Sequence, residues 1–116
     1  AVTGVQPCAL PISVISFGGI IDSIRDMGRT WFSWTVSSLL GFFVGILPAA
    51  GATPGSLMAY GVAKMSSKEP ENFGKGEVAG VVAPESANNA ASTGSLLPML
   101  TLGIPGSPTT AILLGG

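Results

Sequence analysis

The sequence predicts an all-α integral membrane fold, a polytopic helical fragment whose helices are broken by Pro and Gly and fold back as re-entrant hairpins. Three observations carry that prediction. Only 11 of 116 residues are charged, five Lys or Arg and six Asp or Glu, with no His, where a soluble chain of this length carries about 29. The charges are also confined. Between Arg29 and Lys64 lie 34 uncharged residues, and another 31 follow Glu85; each run exceeds the roughly 20 residues that a helix needs to cross a bilayer core. Finally, 17 Gly and 9 Pro would suggest disorder in a polar chain, but 47% of this one is hydrophobic and its mean hydropathy is +0.58. A net charge of -1 with no basic patch excludes a nucleic-acid partner, whose phosphates need several uncompensated cations on one face.

Residues 1–13 stand apart. Val2 to Ile12 resemble the in-frame translation of a sequencing adapter, with Pro7 where the adapter would encode Thr, and the segment is expected to be non-native. A signal peptide is the obvious alternative, but there is no basic n-region, and Pro7 and Pro11 break the apolar run. Cys8, the single cysteine, falls in this segment, so no disulfide, thiol or metal argument follows from it.

In residues 14–29, Phe17, Ile20, Ile21, Ile24 and Met27 recur at three- and four-residue spacings, with Asp22, Arg25, Asp26 and Arg29 on the remaining face. This is the pattern of an amphipathic helix. At the edge of a membrane it would lie in the interface, and Trp31 and Trp34 suit the headgroup level. A surface helix of a soluble domain explains the periodicity equally well; the uncharged run that follows tips the balance.

Residues 31–63 read as a broken helix or hairpin. The apolar stretch from Trp31 reaches Leu47 and stops at Pro48, which lacks an N–H and disfavours helix in the residue before it. An unwound tip is expected over 48–56, followed by renewed helix. Basic residues flank both ends, and Lys and Arg mark the cytoplasmic side, which favours a hairpin over a full crossing. Residues 64–80 read as a hydrophilic loop. Gly74, Gly76 and Gly80 do not have the order of a phosphate-binding loop, and no strand precedes them.

Residues 81–116 hold a small-residue helix and a second broken segment. Ala83, Ala87 and Ala91 fall four apart, as do Ala90 and Gly94, a spacing that lets two membrane helices approach backbone to backbone. Asn88, Asn89 and Glu85 are costly in lipid without partners and should face a partner, a cavity or a solute. Glu85 has two readings: a cation ligand, or a cap in the first turn of a helix that starts at Pro84. Beyond it, Gly103-Ile104-Pro105-Gly106 followed by Ser107, Thr109 and Thr110 repeats the pattern of Gly45-Ile46-Leu47-Pro48 followed by Gly51 and Thr53. Paired Gly- and Pro-interrupted segments are the sequence pointer to a transporter site, where half-helix ends and freed carbonyls meet substrate and ions.

Five motifs then match a known family in order. They are Gly41-Phe42-Phe43-Val44-Gly45-Ile46-Leu47-Pro48-Ala49-Ala50-Gly51-Ala52-Thr53, Ala59-Tyr60-Gly61, Phe73-Gly74-Lys75-Gly76, Ala83-Pro84-Glu85-Ser86-Ala87-Asn88-Asn89-Ala90-Ala91, and Leu100-Thr101-Leu102-Gly103-Ile104-Pro105-Gly106-Ser107. Together they resemble the large permease subunit of the tripartite tricarboxylate transporters. The resemblance implies an internal fragment of a multi-pass protein of the bacterial inner membrane. It also implies import of tricarboxylates or related carboxylates on an ion gradient, with a periplasmic solute-binding protein and a small membrane subunit as partners. The family pattern has Gly where Ala49 stands and usually an apolar residue where Pro54 stands.

The expected substrate or ion site therefore comprises Thr53, Glu85, Asn88, Asn89, Ser107, Thr109 and Thr110, with backbone tips at Pro48, Gly51, Gly103, Pro105 and Gly106. No cofactor is expected beyond Na⁺ or H⁺ as coupling ion, which the same residues would hold. The rival reading is a non-transporting membrane scaffold or assembly subunit, whose polar residues only bond neighbouring helices. An enzyme is not expected: there is no His, and no usable Cys, for acid–base or nucleophilic work.

Overall fold

The structure, a computed structural model, describes residues 17–116, so the reading of residues 1–13 and of Cys8 falls outside the described residues. Five α-helices and one 3-10 turn follow in order: α1 Phe17–Arg29, α2 Trp31–Ile46, α3 Ala52–Ser66, the turn Pro70–Asn72, α4 Ala79–Leu102 and α5 Pro108–Gly115. The helical class is as expected.

The amphipathic spacing of α1 does produce a helix, and its apolar stripe is bare: Phe17, Ile20, Ile21, Ile24 and Met27 are all exposed. One residue separates it from α2. Thr30 donates both its N–H and its hydroxyl to the Asp26 carbonyl, at 2.9 and 2.8 Å, while its own carbonyl accepts from Trp34 N at 3.1 Å.

The centre is a three-helix unit of α2, α3 and α4, and its core consists of the smallest residues. Ala59, Ala83 and Ala87 are buried together, with Leu40 and Ala63 packed against them. A Cβ at Gly41 would meet the backbone of Ala87, and one at Gly45 the backbone of Ala91. Both numbers rise together, so α2 and α4 run parallel in close backbone contact, as the 83/87/91 spacing predicts. The α3 helix returns antiparallel. Its start packs Gly55 beside Gly41 and Val44, and its end places Val62, Ala63 and Ser66 around a cavity with Arg29, Ser33 and Ser37. Small side chains bury little area; cohesion at such a seam comes from dispersion between closely approaching backbones and from Cα–H···O contacts. The large apolar side chains point outward instead, among them Phe43, Leu57 and Leu100.

Several boundaries differ from the sequence reading. The 34-residue uncharged run is divided into helices of 16 and 15 residues, each only about 24 Å long at 1.5 Å per residue. The 24 residues of α4 are long enough, but Pro84, Glu85, Asn88, Asn89 and several hydroxyls lower their hydropathy. Among the described residues no helix is both long and apolar enough to cross a membrane. An uncharged stretch measures sequence, not helix.

The first break spans residues 47–51 rather than 48–56, and Thr53, Pro54, Gly55 and Ser56 are helical. Pro54 is the third residue of α3, where a helix has no use for an N–H and the fixed φ of Pro is already suitable. The second break likewise closes at Ser107, with Pro108 opening α5 and Thr109 and Thr110 in its first turn. The helix around Glu85 starts earlier than expected, at Ala79, so Pro84 is internal and Glu85 does not cap an N-terminus. The loop is shorter too, because α3 continues to Ser66 with Lys64 in its last turn. It is pinned by buried Phe73, whose ring meets Tyr60 edge-on at 5.5 Å.

The seam makes a direct prediction. Gly41→Ala should destabilise the protein by about 3 kcal/mol, the upper end for overpacking, because the colliding atoms are backbone. Gly61→Ala, with open space around it, should be stabilising by about 0.5–1 kcal/mol. Thermal melts of the two variants against the wild type measure both.

Candidate functional site: a cavity between two helix breaks

The two breaks converge. Ala49, Ala50 and Gly51 of the first break with Thr53 in the helical turn after it, and Ser107 of the second with Pro108, Thr109 and Thr110 in the first turn of α5, line one cavity of about 360 Å³, bounded on the third side by Ala91, Ser92 and Ser95 of α4. No charged residue lines it. The parallel register of α2 and α4 causes the meeting: it brings the end of α2 level with the middle of α4, and the chain beyond Gly103 then folds back along α4. Gly106 is buried in that return, with little room for a side chain; a Cβ there would lie 3.0 Å from Ser95 and 3.1 Å from the Gly45 carbonyl.

Each break uses special backbone. Gly51 (φ 69) precedes α3 and Gly103 (φ 67) ends α4, and Ala49 is the one non-glycine with positive φ (62) among the described residues. That conformation is the reason Gly suits position 49: a Cβ is disfavoured there, whatever approaches it. Pro48 is exposed at the tip, and Pro105 is partly buried.

The site hydroxyls divide into two kinds. Ser107 and Thr110 form a capping box: Thr110 N donates to Ser107 Oγ at 3.2 Å, and Ser107 N donates to Thr110 Oγ1 at 2.8 Å. Thr110 is buried, and its role is to start α5. By contrast, Thr53 and Thr109 are exposed, and their side chains make no hydrogen bond to any described residue. Ser92 and Ser95, which the sequence reading did not single out as site residues, bond backward to Asn88 O (3.0 Å) and Ser92 O (2.8 Å). Their spacing of four and seven from Asn88 was the available signal, since it places them on the same side of one helix.

The Glu85 to Asn89 stretch does not reach this cavity. Glu85 and Asn89 line a separate, larger groove with Asp26, Met27, Trp34 and Val82, and the Asn89 amide donates back to Glu85 O at 2.9 Å. Asn88 is exposed, its side chain without a partner among the described residues. The expected site is thus two places, not one. Among the described residues no cluster of three His, Cys, Asp or Glu could hold a metal.

The sequence profile of the tripartite tricarboxylate transporter TctA family matches residues 10–116. This chain belongs to that family. The TctA family is one of transporters rather than enzymes, which makes the chain part of a membrane protein. Its similarity extends to an uncharacterized 52.8 kDa protein in the TAR-I ttuC' 3' region of Agrobacterium vitis, 47% identical over 78 residues, or 67% of this chain and 16% of that protein. A second protein, uncharacterized, in the TAR-II ttuC' 3' region of the same organism is 48% identical over 75 residues, covering 65% of this chain and 31% of that one. The matched region is thus less than a third of either relative's length. No solved structure matches the chain. Within the TctA motifs, several residues have a physical role in the fold. Gly41 and Gly45 form the seam, Tyr60 and Phe73 pin the loop, and Gly103 to Ser107 make the second break.

Two stability effects follow. Ala49→Gly should stabilise the protein by about 1 kcal/mol by relieving the left-handed alanine. Thr110→Val should cost about 1 kcal/mol or more, because it removes half of the capping box and strands the Ser107 N–H. Denaturation midpoints of the single variants check the opposite signs.

Proposed function

We propose that this chain surrounds the transport path of a secondary-active permease that moves tricarboxylates or related carboxylates across the bacterial inner membrane on an ion gradient. The observation that supports this most is the meeting of two helix breaks at one uncharged cavity, with the free hydroxyls of Thr53 and Thr109 in its wall. The N-terminus of α3 opens there without a side-chain cap, so its N–H groups and positive dipole end suit a carboxylate. Break carbonyls and hydroxyl oxygens suit Na⁺, and protonation of the solute or of a carboxylate would serve H⁺ coupling equally. In this reading the α2–α3 pair is a re-entrant hairpin, and α1 lies in the membrane interface. A periplasmic binding protein delivers the solute, and a small membrane subunit completes the assembly. Asn88, with its amide free, faces segments of the intact permease or the solute itself.

The scaffold reading has one observation in its favour: the Asn89 amide and the Ser107 and Thr110 hydroxyls are already used inside the protein. Uptake separates the two readings. In proteoliposomes of the intact permease, combining Thr53→Val with Thr109→Val should lower uptake of whichever of citrate, malate or succinate the wild type transports by at least tenfold, at unchanged membrane level. Unchanged uptake in the double variant would remove the cavity from the path, and a wild type with no saturable uptake would favour the scaffold.

A further inference from the structure

We propose that a second cavity, at the opposite end of the three-helix unit, binds a compact monovalent anion, either chloride or a carboxylate of acetate size. The cavity holds about 160 Å³; its wall is apolar in part, and its polar lining includes Arg29 at the end of α1, Ser33 and Ser37 of α2, Ser66 of α3 and Glu77 just before α4. A water occupies about 30 Å³ of liquid, so the space takes a chloride or an acetate together with a few waters.

Two of its hydroxyls have nothing to bond. Ser33 Oγ is buried without a partner, and Ser37, only 2% exposed, makes no hydrogen bond to any described residue. Thr30 and Thr35 nearby satisfy theirs by bonding back to the Asp26 and Trp31 carbonyls, so helix geometry here offers that outlet and the two serines do not use it. Burying the Ser33 hydroxyl unpaired is costly, and an acceptor within its reach removes that cost.

The surroundings favour negative charge. Arg29 supplies donors and no acceptor. Because α2 and α4 are parallel, both N-termini open at this end, and neither has a side-chain cap; at α4 the Gly80 and Val81 N–H groups already donate to the Glu77 and Val78 carbonyls, so α2 offers the free N–H groups and α4 mainly its dipole. Three features oppose it: the Glu77 carboxylate, the C-terminal end of α3 at Ser66, and the C-terminal end of α1 at Arg29. Glu77 competes with the anion for Arg29 and keeps the affinity modest. The site is independent of the cavity between the breaks.

The test is a tryptophan-fluorescence titration of the intact protein in nanodiscs, with sodium chloride and, separately, sodium acetate, at ionic strength held by sodium gluconate. Trp31 and Trp34 sit on α2 beside the lining residues. A saturable response is expected to at least one anion, and the two arms identify which. Combining Ser33→Ala with Ser37→Ala should weaken binding at least tenfold, Arg29→Gln should abolish it, and Glu77→Gln should tighten it several-fold. Thr53→Val with Thr109→Val should leave it unchanged. A non-saturable response in both the wild type and Glu77→Gln overturns the proposal. So does weaker binding in Glu77→Gln, the mark of a cation site, or equal loss in the threonine variant. If the serine variant does not fold, the opposite shifts of Arg29→Gln and Glu77→Gln still decide.

Discussion

Everything in this structure depends on how closely α2 and α4 approach. At Gly41 and Gly45 there is no room for a Cβ against the backbone of Ala87 and Ala91. Such contact fixes axial register, because sliding either helix by one residue would push a side chain into the seam. With the register fixed and the helices parallel, the end of α2 must lie level with the middle of α4. The break after Ile46 then has one place to go, and the return after Leu102 brings the second break to the same place.

The same constraint separates the two ends of the molecule by chemistry. The end with the breaks is uncharged and lined by small residues, hydroxyls and exposed backbone. The other collects Arg29 and Glu77 around a cavity, because antiparallel α3 carries the chain back to where α2 began. A core of Ala and Gly leaves the large apolar side chains outside, and Phe17, Phe43, Leu57 and Leu100 are left bare. For a chain that matches less than a third of each relative's length, such faces suit contact with lipid or with the rest of a permease.

Much of this was legible in the sequence. The helical class followed from charge placement, α1 from the spacing of Ile20, Ile21 and Ile24, and the small-residue face of α4 from Ala83, Ala87 and Ala91. The position of both breaks followed from Gly and Pro chemistry. What was not legible depended on partners in space. The other half of the seam, Gly41 and Gly45, shows the same four-residue spacing, but only the register of two helices reveals what it meets. Pro54 and Pro108 look like breakers in the sequence, whereas in a first turn they are compatible with helix, so the breaks are shorter than their Pro content suggests. Pro84 misled in the other direction, since α4 begins five residues before it and tolerates it. Glu85, Asn88 and Asn89 were grouped with the tips because all are polar residues in an apolar run. Polarity says that a side chain needs a partner, and it cannot say which end of the bundle supplies one.

The convergence of the two breaks can be measured directly by disulfide cross-linking in the intact protein with its native cysteines replaced by serine. The account predicts that Ala50→Cys and Thr109→Cys, both lining one cavity, cross-link readily under mild oxidation. Ala50→Cys paired with Glu77→Cys, at opposite ends of the three-helix unit, should not. A silent 50/109 pair, or equal cross-linking of the two pairs, would contradict it.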